Sequence, residues 1–237
     1  SRAANGVILI TTKKGKGGRF TANYNTYIGS LQPIKFLDLL KTPDFITISN
    51  EKRSNRGVSA WANGTAFDTD WQKAVLRSSA LQIDHNLSLS GSTDKTSYYF
   101  SLGYNNQEGV ALANEQTRYN VRANVDQKIK PWLTIGTNIA VSRTTNTGLN
   151  VGTNSLSGLM FNAARQLPNT PIYDAANPTG YNISGPSVGQ AENFSIIANN
   201  IPNIRYVLDN NVLRSKIDRT LASVYANFRL SNSLNFK

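Results

Sequence analysis

Alternation of apolar and polar residues is the feature that most constrains this 237-residue chain. Six segments keep a period of two, as in Tyr98, Phe100 and Leu102 alternating with Tyr99 and Ser101. Such alternation places one set of side chains on each face of an extended strand. The segments are Phe20–Ile28, Leu81–Ser90, Ser97–Asn105, Arg118–Ile129, Leu133–Ser142 and Ala222–Leu230, and a seventh begins at Leu234. The pattern predicts an all-β protein with an antiparallel sheet.

The apolar faces of these segments indicate what covers them. They carry no Lys, Arg, Asp or Glu, and His85 is their one basic side chain. An Arg or Lys facing lipid at mid-membrane costs about 2–4 kcal/mol, so a lipid-facing surface needs such a face. The segments approach the roughly ten residues that cross a bilayer at a tilt. A transmembrane antiparallel β-barrel is favoured, and a soluble β-sandwich, which also alternates, is the alternative.

The connections between the segments alternate in length. The links at Ser92–Thr96, Lys130–Pro131 and Ser231–Ser233 are short, whereas residues 31–80 and 146–219 are long. Consecutive antiparallel connections fall on opposite sides of a sheet, so one side has tight turns and the other has large loops. Outer-membrane barrels show this asymmetry, with short periplasmic turns and long extracellular loops.

The long loops contain their own local signals. Phe36–Lys41 and Pro43–Glu51 predict short helical turns, with Thr42 and Pro43 at a helix start. Asp68 and Asp70 lie in a polar stretch and predict a turn and a helix cap.

Composition excludes several classes of protein. Charged residues make up only 16% of the chain, there is no cysteine, and no apolar run reaches the length of about 18 residues expected of a transmembrane helix. The net charge of +11 raises the possibility of nucleic-acid binding. The basic residues are dispersed, however, and do not cluster with aromatic residues as a phosphate-binding groove requires. We expect no nucleic-acid partner.

Catalytic and cofactor motifs are also missing from the sequence. His85 is the only histidine and lies on an apolar strand face, which predicts a structural role. Gly15–Gly18 lacks the first glycine and the Lys-Ser/Thr pair of a P-loop, and no Gly-x-Ser-x-Gly motif occurs. No His/Cys/Asp cluster has the spacing of metal ligands. We therefore expect no enzyme activity, no metal and no cofactor.

The N-terminal region differs from the rest of the chain. Val7–Thr12 is a continuous, mostly β-branched run typical of a strand buried on both faces. The glycine- and lysine-rich stretch that follows predicts a flexible linker and a domain boundary. The predicted division is a first unit at residues 1–15, a linker at 16–19 and a sheet domain at 20–237, whose long loops lie at about 31–80 and 146–219.

Several stretches resemble the SusC/RagA family of TonB-dependent outer-membrane transporters of Bacteroidetes. Ser1–Gly15 is similar to the C-terminal end of the family's plug domain. Further similarity lies in Asp70–Gln72, His85–Gly91, Tyr99–Tyr104, Gln107–Gly109, Arg118–Asn124 and Trp132–Gly136. The similarity spans about residues 1–145. The chain begins within one of these stretches and ends within a predicted strand, so we expect it to be an internal piece of a longer protein.

The resemblance implies the first strands of a 22-stranded barrel that is closed by an internal plug. It implies bacterial outer-membrane localisation and active import of an oligosaccharide or peptide nutrient. Its implied partners are the TonB energy-coupling complex, a SusD-like surface lipoprotein that acts as a lid, and outer-membrane lipid. A passive porin-like barrel and a soluble carbohydrate-binding module are the alternative functions.

Aromatic residues in the loops are the candidates for solute contact, because sugars and peptides pack on flat rings. We predict Trp61 first, followed by Tyr173 and Tyr181. Packing of each ring within its own loop is the alternative interpretation. Trp132, beside Pro131, is predicted to lie in an aromatic girdle at the membrane boundary.

Overall fold

The computed structural model describes residues 13–15, 18–60, 62–148, 158–183, 202–210, 213–231 and 233–236. Strands dominate these residues. The strands are β1 (Thr21–Leu31), β2 (Ala80–Ser92), β3 (Thr96–Glu108), β4 (Glu115–Lys130), β5 (Leu133–Thr147), β6 (Arg214–Arg229) and β7 (Asn235–Phe236). The helices are α1 (Thr42–Ser54), α2 (Trp71–Val75), α3 (Leu159–Arg165) and α4 (Ile204–Asn210).

The strands form one sheet in sequence order, and every neighbouring pair is antiparallel. This confirms the predicted fold class. The register brings Leu87, Leu102, Val121 and Val141 into one cross-strand row. Side chains alternate between the two sides of a sheet, so this row belongs to an apolar face and the rows on either side belong to a polar face.

The apolar face is uncovered. Ile28 is 66% exposed and Val224 is 76% exposed. Within the described ranges no second sheet packs on this face, as a soluble β-sandwich would require. Burial of a large aliphatic side chain stabilises a fold by about 1.5–3 kcal/mol relative to exposure to water. A face of this composition therefore needs an apolar covering.

The strands extend further toward the long loops than the predicted segments do. The extensions add Arg143 and Asp218 to the apolar face as a cross-strand pair, with the Arg143 Nε 2.6 Å from an Asp218 carboxylate oxygen. The predicted absence of charge therefore holds for the middle of the face and ends near the loops.

His85 lies on the apolar face between two tyrosine rings, at centroid distances of 6.0 Å from Tyr24 and 6.3 Å from Tyr104. Its Nδ1 is hydrogen-bonded at 2.8 Å to the Tyr24 hydroxyl and at 2.9 Å to the Thr26 hydroxyl. The contacts are those of a packed aromatic row. Trp132 stacks on Phe228 at the opposite, tight-turn end, with 6.2 Å between the ring centroids.

Helix α1 begins at Thr42, with Pro43 in its first turn, as predicted. The predicted helical turn at Phe36–Lys41 is wrong, because this stretch has no helical residues. Its backbone is held by Gln72, whose side-chain amide exchanges two hydrogen bonds with the backbone of Leu37, at 2.9 Å and 2.8 Å. A partner distant in sequence replaces the local helical hydrogen bonds.

The two loop aspartates have different partners. Asp70 caps α2 as predicted, since its carboxylate accepts a hydrogen bond from the Lys73 amide at 3.0 Å. The predicted local turn at Asp68 is wrong. The Asp68 carboxylate instead accepts from the Thr42 amide at 2.9 Å, which ties this loop to the start of α1.

The main hydrophobic core lies in the loops and not between sheets. It consists of Trp71, Val75, Ala111, Leu159, Ala163, Ile204 and Leu208. These residues come from α2, α3, α4 and the β3–β4 connection, so segments far apart in sequence fold together at the long-loop end of the sheet. Among the helices of the described residues, none is long and apolar enough to cross a membrane.

Candidate functional site

The loops form a packed unit, which we call the loop cap: residues 67–78, 109–114, 158–183 and 202–210. The Trp71 indole is 2% exposed, and its Nε1 donates to the Leu167 carbonyl at 3.1 Å. The Arg205 guanidinium donates to the Ala74 carbonyl at 2.8 Å, which joins α4 to α2. These bonds span 96 and 131 residues of sequence. The cap therefore holds a defined shape at the end of the sheet.

Arg77 joins two segments of the cap next to the sheet. Its guanidinium donates to the carbonyls of Gly109 and Ala111, both at 2.8 Å. Both carbonyls belong to the connection between β3 and β4, which is part of the cap, so Arg77 holds two cap segments together beside the rim of the sheet. An open groove of about 650 Å³ lies at this rim, lined in part by the amide side chains of Gln82, Gln107, Gln116 and Asn146.

Two of the three predicted contact residues, Tyr173 and Tyr181, meet in the cap. They face each other in an antiparallel bridge, and their ring centroids are 5.2 Å apart. The turn between them closes with a hydrogen bond from the Asp174 amide to the Gly180 carbonyl at 3.1 Å. Gly180 has a φ of +76°, a conformation that favours glycine, so the residue suits the turn.

Tyr206 on α4 completes the cluster. Its ring lies edge-on to Tyr181, with 5.3 Å between the centroids. We call Tyr173, Tyr181 and Tyr206 the tyrosine cluster. Tyr206 is not among the predicted contact residues, although the spacing of Arg205 and Asp209, one helical turn apart, is a signal for the helix that carries it.

One carboxylate organises the cluster. Asp209 accepts hydrogen bonds from the Tyr181 hydroxyl and from the Arg205 Nε, both at 2.7 Å. The hydrogen bond to Asp209, followed by partial desolvation, raises the pKa of the Tyr181 hydroxyl above its usual value. Tyr181 is thus fixed in the cap, while Tyr173 is 57% exposed and presents its ring to solvent. Such a ring can stack on a flat apolar surface of a solute.

Trp61, the first predicted contact residue, lies outside the described residues. The predicted strand at Val7–Thr12 also lies outside them, as do residues 16 and 17 of the predicted linker. Their assignments stay predictions. Residues 13–15 and Gly18, which flank the gap in the linker, lie against the polar face of the sheet and make side-chain contacts with it.

Comparison with known proteins identifies relatives of this chain. It is 29% identical over 243 residues to TonB-dependent receptor P3 of Formosa agariphila, a match that covers 100% of the chain and 22% of the relative. It is 33% identical over 126 residues to TonB-dependent receptor SusC of Bacteroides thetaiotaomicron, covering 53% of the chain and 12% of SusC. The chain thus spans about a fifth or less of the length of these curated relatives. No protein-family profile matches the sequence.

Solved structures give the same result for the fold. The chain superposes on the RagAB peptide importer in its closed-closed state with a TM-score of 0.63 and 21% identity. The match covers 99% of this chain and 29% of that one. A second RagAB peptide transporter structure matches with a TM-score of 0.61 over 94% of this chain. The predicted SusC/RagA relationship is confirmed, and the chain belongs to the TonB-dependent receptors of the SusC type.

Proposed function

We propose that this chain is part of an active importer that takes up an oligosaccharide or peptide nutrient across the bacterial outer membrane. The observation that carries the proposal is the match to TonB-dependent receptors over the whole chain. The names of the relatives support the class of function: TonB-dependent receptors form one group of matches, and a peptide importer forms the other.

The two faces of the sheet support placement in a membrane wall. The apolar face carries exposed aliphatic rows, and lipid hydrocarbon is the covering that removes them from water. The polar face carries Arg118, Arg122 and Arg219, together with amide and hydroxyl side chains. That composition suits the wet interior of a barrel. Outer-membrane lipid is therefore one proposed partner.

The domain organisation belongs to the same proposal. Residues 1–15 form the end of a plug domain, residues 16–19 form a linker, and residues 20–237 begin the barrel wall, with long extracellular loops at about 31–80 and 146–219. TonB is the proposed source of energy, and a SusD-like surface lipoprotein is the proposed lid over the loop cap. The hydrogen bonds by which Arg77 holds two cap segments together support a stable surface for such a lid.

The tyrosine cluster is the proposed solute contact, with Trp61 as a further candidate. Support comes from the exposed ring of Tyr173 and from the fixed geometry of Tyr181, which Asp209 holds in place. A ring that is already positioned loses little conformational freedom when solute binds, and this favours affinity.

Growth experiments test the import function. Cells that carry or lack the full-length receptor are grown on single oligosaccharides or on casein peptides as the sole nutrient. We expect growth on at least one nutrient to require both the receptor and TonB. Growth that needs the receptor but not TonB would support a passive porin. Normal growth without the receptor on every nutrient would contradict the import proposal.

Binding experiments test the contact residues once the nutrient is known. Tyr173→Ala should weaken binding of that nutrient to the full-length receptor by about three- to tenfold, the loss expected for one aromatic contact. Tyr119→Ala is the matched control, because Tyr119 is similarly exposed, at 54%, but lies on the apolar face. Equal binding by the two variants would argue against the tyrosine cluster as the solute contact.

A further inference from the structure

Lys13–Gly15 and Gly18, which precede β1, lie against the polar face along one cross-strand row. Residues 13–19 are called the linker from here on. The row contains Ser92, Ser97, Asp126, Gly136 and Tyr225, one residue from each of the strands β2 to β6. Four of these five residues provide a side chain that contacts the linker.

Backbone groups of the linker are bound by side chains of the strands. The Ser97 hydroxyl donates to the Gly15 carbonyl at 2.8 Å, and the Gly18 amide donates to the Ser92 hydroxyl at 3.0 Å. Two residues along β4 from Asp126, the buried Asn124 side chain donates to the Lys13 carbonyl at 2.8 Å. Asn124 is only 3% exposed, so this hydrogen bond is shielded from water.

A charged cluster adds to these bonds. The Lys14 ammonium pairs with the Asp126 carboxylate and donates to the Tyr225 hydroxyl at 2.6 Å, while that hydroxyl donates to Asp126. The same ammonium lies 5.3 Å from the centre of the Tyr225 ring. The side chain of Asp126 is only 17% exposed. Ion pairs that are shielded and share hydrogen bonds are stronger than exposed ones.

Glycines provide the space for this arrangement. A Cβ atom at Gly15 would lie 1.9 Å from the Gly91 carbonyl oxygen, so a side chain there would force the linker off the wall. A Cβ atom at Gly136 would lie 2.2 Å from the Tyr225 ring and 2.5 Å from the Asp126 carboxylate. Gly15 therefore permits close approach from the linker side, and Gly136 makes room for the cluster from the wall side.

We propose that Asp126, Tyr225 and Asn124 form an anchor that binds Lys13–Gly15 to the polar face of the sheet, so that a pull on the chain before Lys13 is resisted at Lys14 and does not reach the start of β1. This role rests on the proposed function, because it concerns a plug that TonB displaces. The anchor makes Lys14 a positioning residue, because its ammonium fixes the linker at one place on the polar face. The wall strands then remain paired while force acts on the residues before Lys13.

Hydrogen exchange measured by mass spectrometry tests the anchor in the purified full-length receptor. The test variant is Asp126→Asn combined with Tyr225→Phe, which removes the charge and the hydroxyl but keeps the shapes of the side chains. We expect amide exchange in peptides covering residues 13–19 to rise about tenfold, as the loss of charged hydrogen bonds predicts. Exchange in β4 and β6 should stay at the wild-type rate.

The matched control is Asp218→Asn, which makes the same chemical change in the Arg143 ion pair on the other face of β6. It should leave the linker unchanged. Unchanged linker exchange in the Asp126/Tyr225 variant would overturn the proposal. Faster exchange throughout β4 and β6 would also overturn it, because the residues would then stabilise the wall itself. Trypsin gives a second readout, since Lys13, Lys14, Lys16 and Arg19 are cleavage sites that an anchored linker protects.

Neither measurement depends on uptake, so the two proposals can fail separately. A receptor with a protected linker but no TonB-dependent growth would refute the import function alone. A receptor that imports its nutrient but shows no change in linker exchange on Asp126→Asn/Tyr225→Phe would refute the anchor alone.

Discussion

Trp71 offers the sharpest test of whether the long loops form one structural unit. Its side chain is 2% exposed and packs in the core of the loop cap. Its indole Nε1 donates to the Leu167 carbonyl at 3.1 Å, and this bond joins α2 to the segment after α3. Trp71→Phe keeps an aromatic ring at this position but removes the donor and part of the volume. The variant therefore isolates the link between the two loops.

The magnitude follows from the contacts. The Leu167 carbonyl keeps a second donor, the Thr170 amide at 3.1 Å, so the lost hydrogen bond costs only about 1 kcal/mol. The smaller ring leaves space in a packed core, which costs about 1 kcal/mol more. The total of about 2 kcal/mol corresponds to a roughly thirtyfold greater population of the opened cap.

Hydrogen exchange in the full-length receptor measures this opening. Peptides covering residues 67–78 and 158–172 should exchange about thirtyfold faster in Trp71→Phe, while peptides from β3 stay unchanged. Trp132→Phe is the control, because Trp132 is 52% exposed and stacks on Phe228 at the opposite end of the sheet. Acceleration confined to residues 67–78 would refute the reasoning, because the two loops would then open independently.

Three further predictions concern the membrane face, a pH effect and a helix cap. Leu102→Arg, on the apolar face, should lower the free energy of unfolding of the lipid-reconstituted receptor in urea by about 2–4 kcal/mol. Ser101→Arg, on the polar face, should lower it far less. Equal losses in the two variants would contradict the assignment of the apolar face to lipid. Asp209 raises the pKa of Tyr181, so their contact is intact below pH 10, the ordinary tyrosine value, and weakens as the pH rises through the raised value. The difference between the ultraviolet pH titrations of wild type and Tyr181→Phe should therefore show a phenolate that forms above pH 10. A phenolate that forms at or below pH 10 would contradict this contact. Asp70→Ala should weaken α2 by about 1 kcal/mol while Asp70→Asn keeps the cap, as exchange at residues 71–76 would show; equal effects would argue against capping.

Much of the sheet could be predicted from local pattern. Each of the six predicted segments corresponds to a strand of β1 to β6, and β7 begins one residue after Leu234. The start of α1 at Thr42 and the cap at Asp70 were also predictable. Proline favours the first turn of a helix, and an aspartate carboxylate accepts a hydrogen bond from an amide in the same turn. The strand ends were less predictable, since pairing with neighbours extends a strand beyond its alternating residues, as at Arg143 and Asp218.

The candidate site was predictable only in part. Tyr173 and Tyr181 were predicted as loop aromatics that contact solute, but their mutual contact, and Tyr206 beside them, depend on how α4 packs. Phe36–Lys41 has a helical pattern but no helix, because Gln72, 35 residues from Leu37, binds its backbone. A hydrogen bond from a side chain this far away in the sequence produces no periodic pattern that could predict it. The role of Trp61 and the domain boundaries stay predictions.

The sequence by itself determined which faces of the strands are apolar, because the pleat turns a period of two into two chemically distinct surfaces. Tertiary structure alone decided the loop cap, the tyrosine cluster and the site that holds Lys14. The contact between Lys14 and Tyr225 joins residues 211 positions apart, and that between Trp71 and Leu167 joins residues 96 positions apart. Such pairs form only when the folded segments between them bring the two residues together. Their contribution to stability therefore leaves no pattern in the local sequence.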